Sequence, residues 1–201
     1  GVDVVVSASQ KALMCPPGLG LASVSQKAWQ IVNREDGLPR FYFDFRKYRS
    51  EIEEGATPYT SAVSLILGLN EALYMIHDEG IPEVLARHRR ISSALRAGCA
   101  AIGLANFPTK GRVSNTVCVF RAPAGLVGNT IVRRLYEKHG TVIAGARNKL
   151  AGKVIRIGTM GDIREGDILT DLLYIEDVLA ELGHKLRRGA GVNAASAVLD
   201  S

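Results

Sequence analysis

The chain has 201 residues, 47% hydrophobic and 22% charged, with a formal net charge of +5; this allows one or two globular domains with a sizeable core. No apolar run reaches the roughly 18 residues of a membrane helix, and no signal-peptide pattern opens the sequence. Cys15, Cys99 and Cys118 are too far apart for a CxxC metal site or a disulfide framework; this predicts no metal centre and a reducing, cytoplasmic compartment. The densest basic patch, Arg87-His88-Arg89-Arg90, has no interleaved aromatics and reads as a solvated helix face, not a nucleic-acid surface.

In chain order, the valine run Val2 to Ser7 predicts a strand buried on both faces. Pro16-Pro17-Gly18 is too short for a crossover, so a second strand over Gly20–Ser25 pairs with the first antiparallel. Ser25 is placed to cap a short helix from about Gln26 to Asn33. Asp36-Gly37 and Pro39 mark a loop, and Asp44 caps a helix through Glu53. Glu54-Gly55-Ala56-Thr57-Pro58 breaks that helix, and Pro58 biases Thr57 to an extended conformation. A long helix over about Thr60–Asp78 is apolar nearly all round, which predicts burial.

Gly80 and Pro82 open a second long helix, with Ile81, Val84, Leu85, His88, Ile91, Leu95, Cys99 and Ile102 on one stripe. Strands then alternate with helices: strand Asn115–Phe120, helix Val127–Lys138 stopped at His139-Gly140, an edge-like strand Thr141–Ala144, strand Lys153–Gly158, and helix Glu165–Leu186. Residues 189–201 are small and weakly patterned and read as a mobile tail. The expected domains are therefore 1–78, 79–188 and this tail.

Three stretches carry chemistry. The strand-end segment Ser7-Ala8-Ser9-Gln10-Lys11, closed by the Pro-Pro-Gly turn, holds one amine at the mouth of a rigid loop. Such an amine can form a Schiff base with a carbonyl cofactor and shuttle a proton, if it is held close and partly desolvated. Thr57 offers a hydroxyl donor suited to a phosphate, or a simple helix cap. Arg156, in Val154-Ile155-Arg156-Ile157-Gly158-Thr159-Met160-Gly161, is costly to place in an apolar strand without an anion. Its planar fork suits a carboxylate, either a substrate's or that of a structural salt bridge. Arg147, in the nearby Gly145-Ala146-Arg147 loop, is a weaker candidate for orienting substrate. His88 reads as packed, His77, His139 and His184 as helix-end residues, and Tyr42, Tyr48 and Tyr59 carry no assignment.

These stretches, in this order, resemble the class V pyridoxal-phosphate aminotransferases of the alanine–glyoxylate and serine–glyoxylate type, over roughly Gly1 to Gly183. The resemblance implies an α/β architecture: the end of a fold type I large domain followed by a small α/β C-terminal domain. It implies that Lys11 carries pyridoxal 5′-phosphate, that Gln10 touches the phosphate, and that Thr57 reaches the partner's phosphate across a homodimer. It implies that Arg156 holds the substrate α-carboxylate, with a small amino acid (alanine or serine) as donor and glyoxylate or pyruvate as acceptor. Where many relatives have an aromatic phosphate contact, this chain has Glu54, so that contact is not carried over.

In that family the carboxylate for the pyridine nitrogen, the ring-stacking residue and the phosphate loop precede the lysine. Only ten residues precede Lys11, the first of them Gly1 and not Met. This predicts the second half of such an enzyme, with an N-terminal segment or chain missing. Two alternatives stay open. One is a class V desulfurase or lyase, although none of the three cysteines suits a mobile nucleophile. The other is a non-catalytic subunit or fragment; some relatives have been labelled small subunits of a soluble hydrogenase.

Overall fold

The computed structural model describes residues 1–34, 37–109 and 111–201, so the loop expected at Asp36 lies partly outside the described residues. The chain divides into two units, Gly1–Asp78 and Glu79–Ser201.

In the first unit, Val4–Ala8 (β1) and Gly20–Val24 (β2) form a two-stranded antiparallel sheet, with Val4 opposite Val24 and Ala8 opposite Gly20. Helix Gln26–Val32 (α1) starts at Ser25, whose Oγ accepts the Ala28 N–H at 3.1 Å. Helix Phe45–Glu53 (α2) starts at Asp44, which accepts the Arg46 N–H at 3.1 Å. The Arg46 guanidinium, also bonded to Asp44, draws that carboxyl down to about 2. Helix Val63–Glu79 (α3) follows.

Two expectations fail here. The valine run of β1 is not covered on both faces: Val6 is 75% exposed, and Val4 and Val5 are exposed too. Of the α3 residues only Ala72 is buried. A continuous apolar run reads as buried because solvent-facing valines are unfavourable, but the described elements of this unit leave both surfaces open.

The second unit carries the core. Helix Ile81–Ala101 (α4), strand Val117–Arg121 (β3), helix Gly128–His139 (α5), strand Val154–Gly158 (β4) and helix Glu165–Glu181 (α6) bury Ile91, Leu95, Phe120, Leu135, Ile155 and Leu172. β3 and β4 pair antiparallel, with Val119 opposite Arg156. The strand expected at Thr141–Ala144 reduces to a single bridge, Ala144 to Arg156. At the start of α5, a Cβ on Gly128 would lie 2.7 Å from the Val154 carbonyl oxygen, so only glycine lets the helix sit this close to β4.

The tail expected to be mobile is instead helix Ala190–Leu199 (α7), packed chiefly on α4 and also on α6. Its small residues are the reason. A Cβ on Gly98 of α4 would lie 2.8 Å from the Gly191 oxygen, and Ala195 is fully buried. Two glycines bring the backbones together where side chains would hold them apart. Among the described residues, no helix is long and apolar enough to cross a membrane.

Candidate active site

The lysine loop is built around Ser9. This residue is fully buried; its Oγ donates to the Pro16 carbonyl at 2.7 Å and accepts the Leu19 N–H at 3.3 Å. Its backbone N–H donates to Leu19 and its carbonyl accepts from Cys15, at 3.1 and 3.0 Å. The loop closes through Met14, which adopts a positive φ of 58° and donates its N–H to the Lys11 carbonyl. Gly18, at φ 147°, faces Leu65 of α3, whose methyl would lie 2.5 Å from a Cβ at that position. Locked from within, the loop presents Gln10 and Lys11 consecutively and exposed. Lys11 forms no ion pair or side-chain hydrogen bond among the described residues. The partial burial expected for its amine is not supplied by the elements of this unit.

Thr57 lies in the same unit, in the turn after α2. Its Oγ1 donates to the Tyr59 carbonyl and accepts from the Ser61 hydroxyl, both at 2.9 Å. It lines a cavity of about 940 Å³ bounded by Val6 and Leu21 of the hairpin and by Tyr42, Tyr48 and Tyr59. Gln10 and Lys11 are not among the lining residues. The tyrosines left unassigned by sequence form the wall: Tyr42 stacks on Tyr59 at 4.6 Å, and the Tyr59 hydroxyl donates to the Phe41 carbonyl at 2.8 Å. The aromatic content of Phe41-Tyr42-Phe43 was the available signal for this cluster.

Arg156 belongs to the second unit. Its neighbours Ile155 and Ile157 point into the core, and the strand's alternation sends Arg156 to the exposed face. Its Nε donates to the Gly145 carbonyl at 2.7 Å, and it forms no ion pair among the described residues. The salt-bridge alternative therefore has no partner in this unit. Arg147 is exposed at the entrance to a 3-10 turn over Asn148–Leu150. All three cysteines are free and buried; burial pushes the Cys99 and Cys118 thiols up, away from nucleophilic thiolate.

No family model matches the chain. It is 39% identical over 199 residues to an uncharacterized aminotransferase of Methanocaldococcus jannaschii, a match covering 98% of this chain and 51% of that protein. It is 38% identical over 201 residues to the serine–glyoxylate aminotransferase of Arabidopsis thaliana, covering 99% of this chain and 50% of the relative. A Synechococcus protein named as a soluble hydrogenase small subunit is 39% identical over 202 residues, covering all of this chain and 52% of the relative. The crystal structure of pyridoxamine–pyruvate aminotransferase from Mesorhizobium loti superposes with a TM-score of 0.91 at 31% identity, over 98% of this chain and 52% of that one. Its homologues include serine–glyoxylate and pyridoxamine–pyruvate aminotransferases. Its fold is that of the C-terminal part of a fold type I transferase. It spans about half the length of the curated relatives it matches.

Proposed function

We propose that the protein to which this chain belongs transfers an amino group from a small amino acid, alanine or serine, to a small 2-oxo acid, glyoxylate or pyruvate, using pyridoxal 5′-phosphate. The observation that carries the reading is Arg156: an exposed guanidinium on a strand whose Val154, Ile155 and Ile157 are buried, with no ion pair among the described residues, in a chain homologous to aminotransferases. Residues 1–78 are read as the end of the large domain and the second unit as the small one.

The donor set fits two parts of that cofactor. A lysine amine with no ion pair or side-chain hydrogen bond among the described residues suits the aldehyde, and the adjacent Gln10 amide suits the phosphate. The Thr57 hydroxyl would serve the phosphate of a second copy in a homodimer. Its single proton is given to the Tyr59 carbonyl, so this role requires that proton to turn to the phosphate, with Ser61 still donating to Thr57. Asp3 offers nothing to the ring nitrogen: Ser25 and Lys27 hold its two oxygens at 2.9 and 3.0 Å. That carboxylate, and the ring-stacking group, are assigned to a segment or chain supplying the other half of the relatives' length.

When bound, the cofactor supplies an electron sink for charge developing at the substrate Cα. Lys11 Nζ is the base that takes the Cα proton, and the Ser9-centred loop keeps it in place between turnovers. Arg156 pairs with the substrate α-carboxylate through its planar fork. Three thiols without a disulfide suit a cytoplasmic location.

The test is amino transfer by the natural-length protein from L-alanine to glyoxylate, and from L-serine to glyoxylate or pyruvate, with Lys11→Ala as comparator. Turnover with one or both donors, lost in Lys11→Ala, is expected. Absence of transfer from both donors, or transfer that survives Lys11→Ala, would contradict the reading.

A further inference from the structure

Arg156 is gripped twice by consecutive residues of one loop. Its backbone exchanges two hydrogen bonds with Ala144: Arg156 N–H to the Ala144 carbonyl at 2.6 Å, and Ala144 N–H to the Arg156 carbonyl at 3.0 Å. The next carbonyl along, that of Gly145, accepts the Arg156 Nε–H at 2.7 Å. The same loop is pressed against the first turn of α5, where a Cβ on Gly145 would lie 2.5 Å from Asn129 Oδ1. The Gly145 carbonyl is therefore held by the pairing of the preceding residue with β4 and by the close packing of the Gly145 Cα against Asn129 of α5.

A guanidinium offers a carboxylate two bidentate edges. The side-on edge uses Nε–H with one terminal amino group; the end-on edge uses the two terminal amino groups, Nη1 and Nη2. With Nε–H committed to Gly145, the side-on edge is closed. The Nε–H bond to Gly145 lies in the guanidinium plane and so restrains its rotation about the Cδ–Nε bond. The terminal edge carries no ion pair from this unit.

We propose that the Gly145 carbonyl is a positioning group that forces Arg156 to take the substrate carboxylate end-on, through Nη1 and Nη2 alone. The proposal rests on the reading of Arg156 as the carboxylate clamp and adds the edge it uses and the group that sets it. It also explains why an uncharged loop residue belongs to substrate recognition: its contribution is a main-chain oxygen at a fixed place.

The test is side-chain NMR of the natural-length protein labelled with 15N-arginine. The Arg156 signals are assigned by their loss in Arg156→Lys, and pyruvate is the carboxylate probe. Before pyruvate, the Arg156 Nε–Hε correlation is expected to be sharp and slow to exchange with water. On saturation it stays within its linewidth while the Arg156 Nη signals shift and lose their rotational averaging. A large shift of Nε–Hε on pyruvate binding, equal to or exceeding that of the Nη signals, overturns the end-on assignment while leaving Arg156 as the clamp. No response of any Arg156 signal at saturating pyruvate overturns the clamp reading itself, and the proposal with it.

Discussion

The carboxylate of Glu176, buried on α6, accepts the backbone N–H of Gly191 in the first turn of α7 at 2.7 Å, and its other oxygen accepts the Gly189 N–H. One acid thus satisfies two otherwise orphaned donors at a helix start and stands at the positive end of its dipole. Glu176→Ala leaves both donors without a partner in a dry site. It is expected to cost on the order of 3 kcal/mol, read as a melting temperature lower by roughly 6–12 °C. Glu176→Gln, which keeps an acceptor oxygen, is expected to fall between. Equal melting temperatures for all three proteins would contradict the capping role.

Asp171, also on α6, has no hydrogen-bond partner among the described residues; burial, with Asp167 nearby, raises its carboxyl from 3.8 to about 6. Between those values the folded chain holds a proton that the unfolded chain releases. Stability from this group is therefore full below pH 4, falls as pH rises to 6, and is flat above. Asp171→Asn removes the penalty. Allowing for solvent screening, the variant is expected to be more stable by on the order of 1 kcal/mol at pH 7, with the gap closing toward pH 4. Urea titrations at both values check it; a gap that widens in acid would reverse the sign and refute the argument.

Local signals in the sequence were reliable where one residue sets the geometry. Ser25 and Asp44 cap α1 and α2, and Gly140, at φ 68°, stops α5. Helix α7 was missed because glycine and alanine bury backbone rather than side chains, so the periodic pattern that marks a helix is faint, and its cap comes from another helix. The burial of β1 and α3 was misread because an apolar run shows that a surface needs covering, not what covers it. Lys11 and Arg156 stood out as single charges in otherwise apolar or turn-forming stretches. Gly145 had no such signature, since a carbonyl oxygen is common to every residue. Tyr42 and Tyr59 carried a signal, but their stacking depends on a turn conformation that spacing alone does not fix.

The exposed apolar surface of the first unit has a measurable consequence. A two-stranded sheet alone is marginal in water, and Val6, Phe43 and Leu67 are 75%, 84% and 64% exposed. For the isolated chain Gly1–Ser201, backbone amides of β1 and β2 are expected to exchange with solvent far faster than those of β3 and β4. The same preparation, in which Asp3 is held by Ser25 and Lys27 and offers nothing to a pyridine nitrogen, is expected to show negligible amino transfer. Robust turnover by a preparation shown by intact mass to contain only these residues would overturn the proposal that another segment supplies the carboxylate for that nitrogen.

For the natural-length protein, Arg156→Lys keeps the charge but loses the fork, and Arg156→Ala loses both. Loss of a charge-assisted bidentate contact should cost on the order of 2–4 kcal/mol, or roughly 30- to 1,000-fold in kcat/KM for alanine. An amine lacking a carboxylate should be nearly indifferent to both changes. A structural role predicts instead a lowered melting temperature and equal losses for both amines, and that pattern would remove Arg156 from substrate binding.

The central claim is that Lys11, on its Ser9-centred loop, is the cofactor lysine. The most direct measurement is borohydride trapping of the natural-length protein loaded with pyridoxal 5′-phosphate at equimolar concentration, followed by peptide mass mapping. A phosphopyridoxyl group on Lys11, in near-unit yield and abolished in Lys11→Ala, is the expected result. Reduction that leaves the group on another lysine, such as Lys27 or Lys47, with Lys11 unmodified, would contradict the account.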